Sequence, residues 1–220
     1  MESPISPKLV EMLREANELD TEFRTALIQI DRQVPPGARS ITAHAFCKIA
    51  LEHGAGTGTL LRDANPTAAL ALVRLQFEAV LRGSWILYGA TDEWVERFAA
   101  PVSENNGREP VPFPRARELL AEMLDSSRTP RFLHASLDAL RSQAWDALNS
   151  YTHGGLRQIT RVLNGYEEEL IEWMIRTTNT LLYIACQLCA HEIMVDLSCS
   201  SRLSQIRASY PGWMHPAPGE

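Results

Sequence analysis

Apolar residues in this chain recur every three to four positions, and nowhere do they alternate singly between turn signals. That period belongs to the α-helix and not to the β-strand. Leu9, Met12, Leu13, Leu19, Phe23, Leu27 and Ile30 repeat at this spacing, which predicts a first helix over 6–32. Pro35-Pro36-Gly37 closes it. A second helix is expected over 41–53, stopped by the glycines of GAGTG (54–58), which read as a flexible connector. Asn65-Pro66 reads as an N-cap with proline in the first turn, opening a helix to about Tyr88. Thr91 is expected to cap a short helix whose first turn carries Asp92 and Glu93.

Four prolines and polar spacers make 100–114 a long surface connection. Helices are expected again over 114–126, 130–152 and 156–163, with Gly154-Gly155 breaking the middle one. A long helix should follow over 166–197, with Glu167, Glu168 and Glu169 in its first turn. The reading is all-α: an up-and-down helical bundle with additional short helices, one domain over 1–209, and an irregular C-terminal tail over 210–220.

Net charge narrows the partners. The chain of 220 residues carries −6 at neutral pH, which does not suit bulk attraction of nucleic acid. Any such contact needs a local basic patch. Arginine would have to supply it, since lysine occurs only at Lys8 and Lys48; the excess of arginine reads either as phosphate or carboxylate recognition or as codon bias in a GC-rich genome. Cys47, Cys186, Cys189 and Cys199 do not form a spaced disulfide framework. No secretory leader is evident, and the densest apolar run, 181–190, falls short of the roughly 20 residues a bilayer needs. The expected compartment is the cytoplasm, with no membrane partner.

Two polar stripes stand out. On the helix over 66–88, Arg74, Glu78 and Arg82 lie four apart on a surface otherwise apolar nearly all round, with Trp85 extending the row. This is either a pair of i,i+4 ion pairs at a solvated edge or the charged lining of a pocket. On the helix over 130–152, Leu133, Leu137, Leu140, Ala144, Leu148 and Tyr151 make the core stripe. His134, Asp138, Arg141, Trp145 and Asn149 flank it. Asn149, Tyr151, His153, Arg157 and Arg161 then concentrate more chemistry than any other stretch of similar length. No metal or cofactor is expected. Cys186-x-x-Cys189-x-His191 has ligand-type residues but no second ligand pair, and reads as core packing.

The segment LNSYTHGG (148–155) resembles the end of the motif helix in the HEPN superfamily. It is nearest to an uncharacterised bacterial branch, which pairs a helix of the type LVRLQFEAVLRGSWIL (72–87) with a later Ser/Asn-x-x-x-His-Gly element. The two segments are about a tenth of the chain. In active members an arginine precedes the histidine by a few residues, a polar residue follows it, and the pair cuts RNA without metal across a dimer interface. The resemblance implies binding of RNA or a nucleotide, in bacterial stress or phage defence. Asn149 matches the polar residue and His153 the histidine. The arginine is missing, since its place falls among Asp146, Ala147 and Leu148, which implies a protein degenerate as a nuclease. Two other readings stay open: a non-catalytic module that forms a homodimer or binds another protein, and a small-molecule sensor using the Arg74–Glu78–Arg82 stripe.

Overall fold

The structure, a computed structural model, describes residues 6–100, 111–152 and 155–216. Most of these are helical, and no strand occurs among them. The elements in order are α1 (Pro7–Ile28), α2 (Ala38–Arg62), α3 (Pro66–Tyr88), α4 (Asp92–Ala99), α5 (Ala116–Asp125), α6 (Arg131–Thr152), α7 (Leu156–Asn164), α8 (Glu168–Gln187), a π-helical turn (Leu188–Ile193) and α9 (Leu197–Ser209).

The caps are mostly those the sequence offers. Ser6 accepts from the Leu9 amide at the start of α1, and Thr91 accepts from the Trp94 amide at the start of α4. Asn65 occupies the cap position of α3 but makes no capping bond; its amide donates to the Asp63 carbonyl instead.

The GAGTG segment does not end α2. The helix runs through it to Arg62 and packs along α3 more extensively than any other pair of helices. The cost of helical glycine is about 1 kcal/mol each. Close approach offsets it: a Cβ on Gly54 would lie 2.8 Å from Gln76 Nε2, and one on Gly56 would lie 2.8 Å from Leu72 Cδ1. Gln76 is fully buried and donates to the Thr178 carbonyl on α8 at 3.2 Å. Gly54 and Gly56 are thus a packing seam of α2 against α3, with α8 joined through Gln76.

The core has two parts. One gathers Phe23, Phe77, Leu81, Ile86, Leu137 and Leu181 with their neighbours. The other, near the ends of α1 and α6, holds Met12, Leu70, Val73, Leu148, Tyr151 and Met174. The long helix expected over 166–197 is shorter. It ends in the π-turn, and Val195 then takes a left-handed φ of 52°. Asp196 caps a ninth helix by accepting from the Cys199 amide at 2.9 Å. The tail is irregular as far as it is described, yet it is docked: Asn179 donates to the Trp213 carbonyl, and His215 bonds Thr177 and Thr180 on α8. No helix is long and apolar enough to cross a membrane among the described residues.

Candidate functional site

The two polar stripes face each other. α3 presents Arg74, Glu78 and Arg82 to α6, which presents Arg141, Trp145 and Asn149. The start of α5 closes a third side with Phe113, Arg115 and Arg117. Between them lies an open cleft of about 660 Å³.

Its floor is a bonded row. Glu78 takes Arg74 Nη2 on one carboxylate oxygen at 2.6 Å and Arg82 Nη2 on the other at 3.1 Å. Arg74 Nε donates to Asn149 Oδ1 at 2.8 Å, which ties α3 to α6. The Arg74 guanidinium lies over the Trp145 ring at 5.1 Å, and that of Arg82 over the Phe113 ring at 4.9 Å. Such contacts hold a guanidinium flat and supply about 0.5–2 kcal/mol each, more as water is excluded. Arg74 and Glu78 keep only 13% and 14% of their side chains exposed, while Arg82 keeps 37%. Arg74 is therefore a scaffold for the row, and Arg82 is its accessible cation.

Five arginines line the cleft with one carboxylate, Glu78, and Arg141 also pairs with Asp138 beside it at 3.2 Å. The chain as a whole is acidic, so this is a local reversal of sign. The planar forks suit phosphate or carboxylate oxygens, and the two aromatic side chains suit a flat ring. Sequence reasoning missed Phe113, Arg115 and Arg117. The available signal was a basic pair placed directly after Pro114, at a helix start.

The other expected site residues divide. Asn149 joins the cleft, as above. Tyr151 does not: it is buried in the second core part, where the hydrophobic period of α6 directs it. Trp85 leaves the stripe too; it is buried, donates to Glu122 at 2.7 Å and meets Trp94 edge-on. Arg161 pairs with Glu167 and, with Arg157, lies outside the cleft lining. His153 falls outside the described residues. Cys186 and Cys189 are buried, while His191 is exposed and bonds Glu192. No group of three or more His, Cys, Asp or Glu side chains able to hold a metal ion occurs among the described residues.

A family model, the family of unknown function DUF6988, matches residues 47–216. The chain belongs to this family. The matched span begins within α2 and reaches the docked tail, so it contains the whole cleft lining and leaves out α1. No curated protein and no solved structure matches the chain.

Proposed function

We propose that this member of DUF6988 is a HEPN-like cytoplasmic protein of bacterial stress or phage defence that binds RNA or a nucleotide in the cleft between α3, α5 and α6, without cutting it. The observation that carries the reading is the convergence of five arginines and two aromatic residues around a single carboxylate in an acidic chain. Phosphate would be held by Arg82, Arg115, Arg117 and Arg141. A base would stack on the guanidinium planes that Trp145 and Phe113 hold flat.

Binding without cleavage follows from how Arg74 is used. A guanidinium must be free to neutralise charge building on phosphate. Arg74 approaches Asn149 from another helix, but its Nε and Nη2 are already committed to Asn149 and Glu78. The test is fluorescence anisotropy with a labelled single-stranded RNA and, separately, a fluorescent nucleotide. Arg82→Glu combined with Arg117→Glu should weaken binding at least tenfold and flatten its salt dependence. RNA incubated without metal should stay intact with the wild-type chain and with His153→Ala alike. Equal affinity of the wild type and the double variant would remove the cleft as the binding site.

A second reading, self-association, is favoured by one element. α7 turns its polar residues Gln158 and Arg161 inward, where they are half-buried. Its apolar stripe of Leu156, Ile159, Val162 and Leu163 faces solvent, each side chain more than half exposed. A second copy placed on a two-fold axis would cover stripe with stripe. Light scattering during size exclusion should then report a dimer that Ile159→Glu converts to a monomer. A wild-type monomer at high micromolar concentration excludes this reading.

A further inference from the structure

The face of α6 turned away from the arginine cleft carries a stripe of its own. Phe132, Ser136, Ala139 and Gln143 recur at i, i+4, i+7 and i+11, which puts them on one side of the helix. Arg141, Trp145 and Asn149 occupy the other side. α6 packs chiefly against α3, α5 and α7 and hardly meets α8. The space left between α6 and α8 is a second pocket, of about 340 Å³. That volume falls within the range of small-molecule sites, about 300–1,000 Å³.

Its end wall is the C-terminal tail, and α8 commits buried polar groups to holding it there. Asn179 Nδ2 donates to the Trp213 carbonyl at 2.9 Å, and the His215 amide donates to Thr180 Oγ1 at 2.9 Å. The His215 ring pairs through Nε2 with Thr177 Oγ1 at 2.9 Å. Thr177 and Asn179 are each only 2% exposed. Buried polar groups are costly to leave unpaired. These bonds therefore fix Met214, His215 and Pro216 in place as part of the lining.

The walls are mostly apolar. Leu140, Ile184 and Met214 are buried in them, while Phe132 stands in the lining with 62% exposure. A large aromatic side chain left in water beside an apolar pocket is surface that a ligand can cover. No Asp or Glu belongs to the described lining, and the ionisable groups on it with a basic nitrogen are His215 and Arg207. Burial, and then Arg176, hold the His215 imidazole below its ordinary range, so it is neutral at pH 7. Arg207 of α9 is therefore the charge of the lining. Its guanidinium lies over the Tyr183 ring at 5.2 Å, a contact that holds the fork flat.

We infer that this pocket binds a small amphipathic monocarboxylate, with its apolar body seated between α6 and α8 and its carboxylate on the fork of Arg207. One cation in an apolar lining matches one negative charge. A phosphate monoester would bring about −1.5 to −2 charges into the same lining, and an ammonium ligand meets no carboxylate there. The site is separate from the arginine cleft, with α6 between the two.

The experiment is isothermal titration of the full chain with octanoate, 1-octanol and octylammonium. Octanoate should bind saturably at one site, about fivefold tighter than 1-octanol, with octylammonium the weakest. Arg207→Gln should bring octanoate down to the affinity of 1-octanol and leave 1-octanol unchanged. Ala139→Trp, which fills the pocket from α6, should abolish binding of both while the circular dichroism stays helical. Arg82→Glu, in the cleft, should leave octanoate binding as in the wild type. The ranking of the three probes on the wild-type chain needs no variant to fold. Octanoate that fails to saturate the folded wild type, binds no tighter than octylammonium, keeps its advantage over 1-octanol in Arg207→Gln, or binds undiminished to folded Ala139→Trp overturns the inference.

Discussion

Gly54→Leu is expected to destabilise the chain by about 2–4 kcal/mol, through overpacking and a broken buried hydrogen bond. The first added carbon meets Gln76 Nε2 at 2.8 Å, with Thr178 Cγ2 at 3.7 Å behind it. Gln76 has no exposed route of escape, and moving it breaks its bond to the Thr178 carbonyl. A small cavity of about 100 Å³ also borders Gly54, between α1, α2 and α8, but the Cβ direction is toward Gln76. Relief from that cavity is therefore small. In a chain of this length the change lowers Tm by about 4–16 °C. Gly58→Ala is the control of opposite sign. Its Cβ would meet only Arg62 Nη1, at an ordinary 3.5 Å, so the gain in helix propensity of up to about 1 kcal/mol should survive. Thermal and urea unfolding of the two variants measure the contrast. Equal stabilities would mean that α2 and α3 do not meet closely at Gly54.

Glu78→Gln should act in opposite directions on stability and on anion binding. The side chain keeps its shape and loses its charge. Both ion pairs go, and Arg74 is left with 13% of its side chain exposed and no carboxylate. A fully buried pair broken this way costs about 3–5 kcal/mol; with partial exposure, and the Asn149 and Trp145 contacts intact, about 1–2 kcal/mol is expected. The cleft at the same time loses its one carboxylate. At an effective dielectric of about 40 and a separation near 6 Å, removing one repulsive charge is worth about 1.4 kcal/mol, or tenfold in Kd. Anisotropy titration with labelled RNA at low salt should show tighter binding by the less stable variant, and the gain should shrink as salt is raised. A loss of affinity in the folded variant would place the anion elsewhere.

Legibility in the sequence differed from element to element. The core face of α6 was readable residue by residue, because a period of 3.6 is a local property, and all six residues of the predicted stripe are buried. The Arg74–Glu78–Arg82 row was readable as one face for the same reason. Its orientation was not. Facing Arg141, Trp145 and Asn149 across a cleft depends on how α3 and α6 cross, and Arg115 and Arg117 arrive from a helix whose start follows a proline-rich stretch. The glycine run in α2 misled because glycine acts on two scales. Locally it weakens a helix, but in the fold it permits an approach that no other residue allows. The start of α9 carried a readable signal in the Asp196 cap, which the apolar run before it obscured.

The amino-acid order alone determined that the chain is helical and which side of most helices turns inward, since both follow from interactions spanning three or four residues. Only the tertiary structure decided which polar stripes meet, that Trp85 belongs to the interior, and that the Cys189 sulfur lies against His44 of α2. Those outcomes depend on contacts between residues dozens of positions apart. The seam of Gly54, Gln76 and Thr178 is one such contact, and it fixes how α2, α3 and α8 meet.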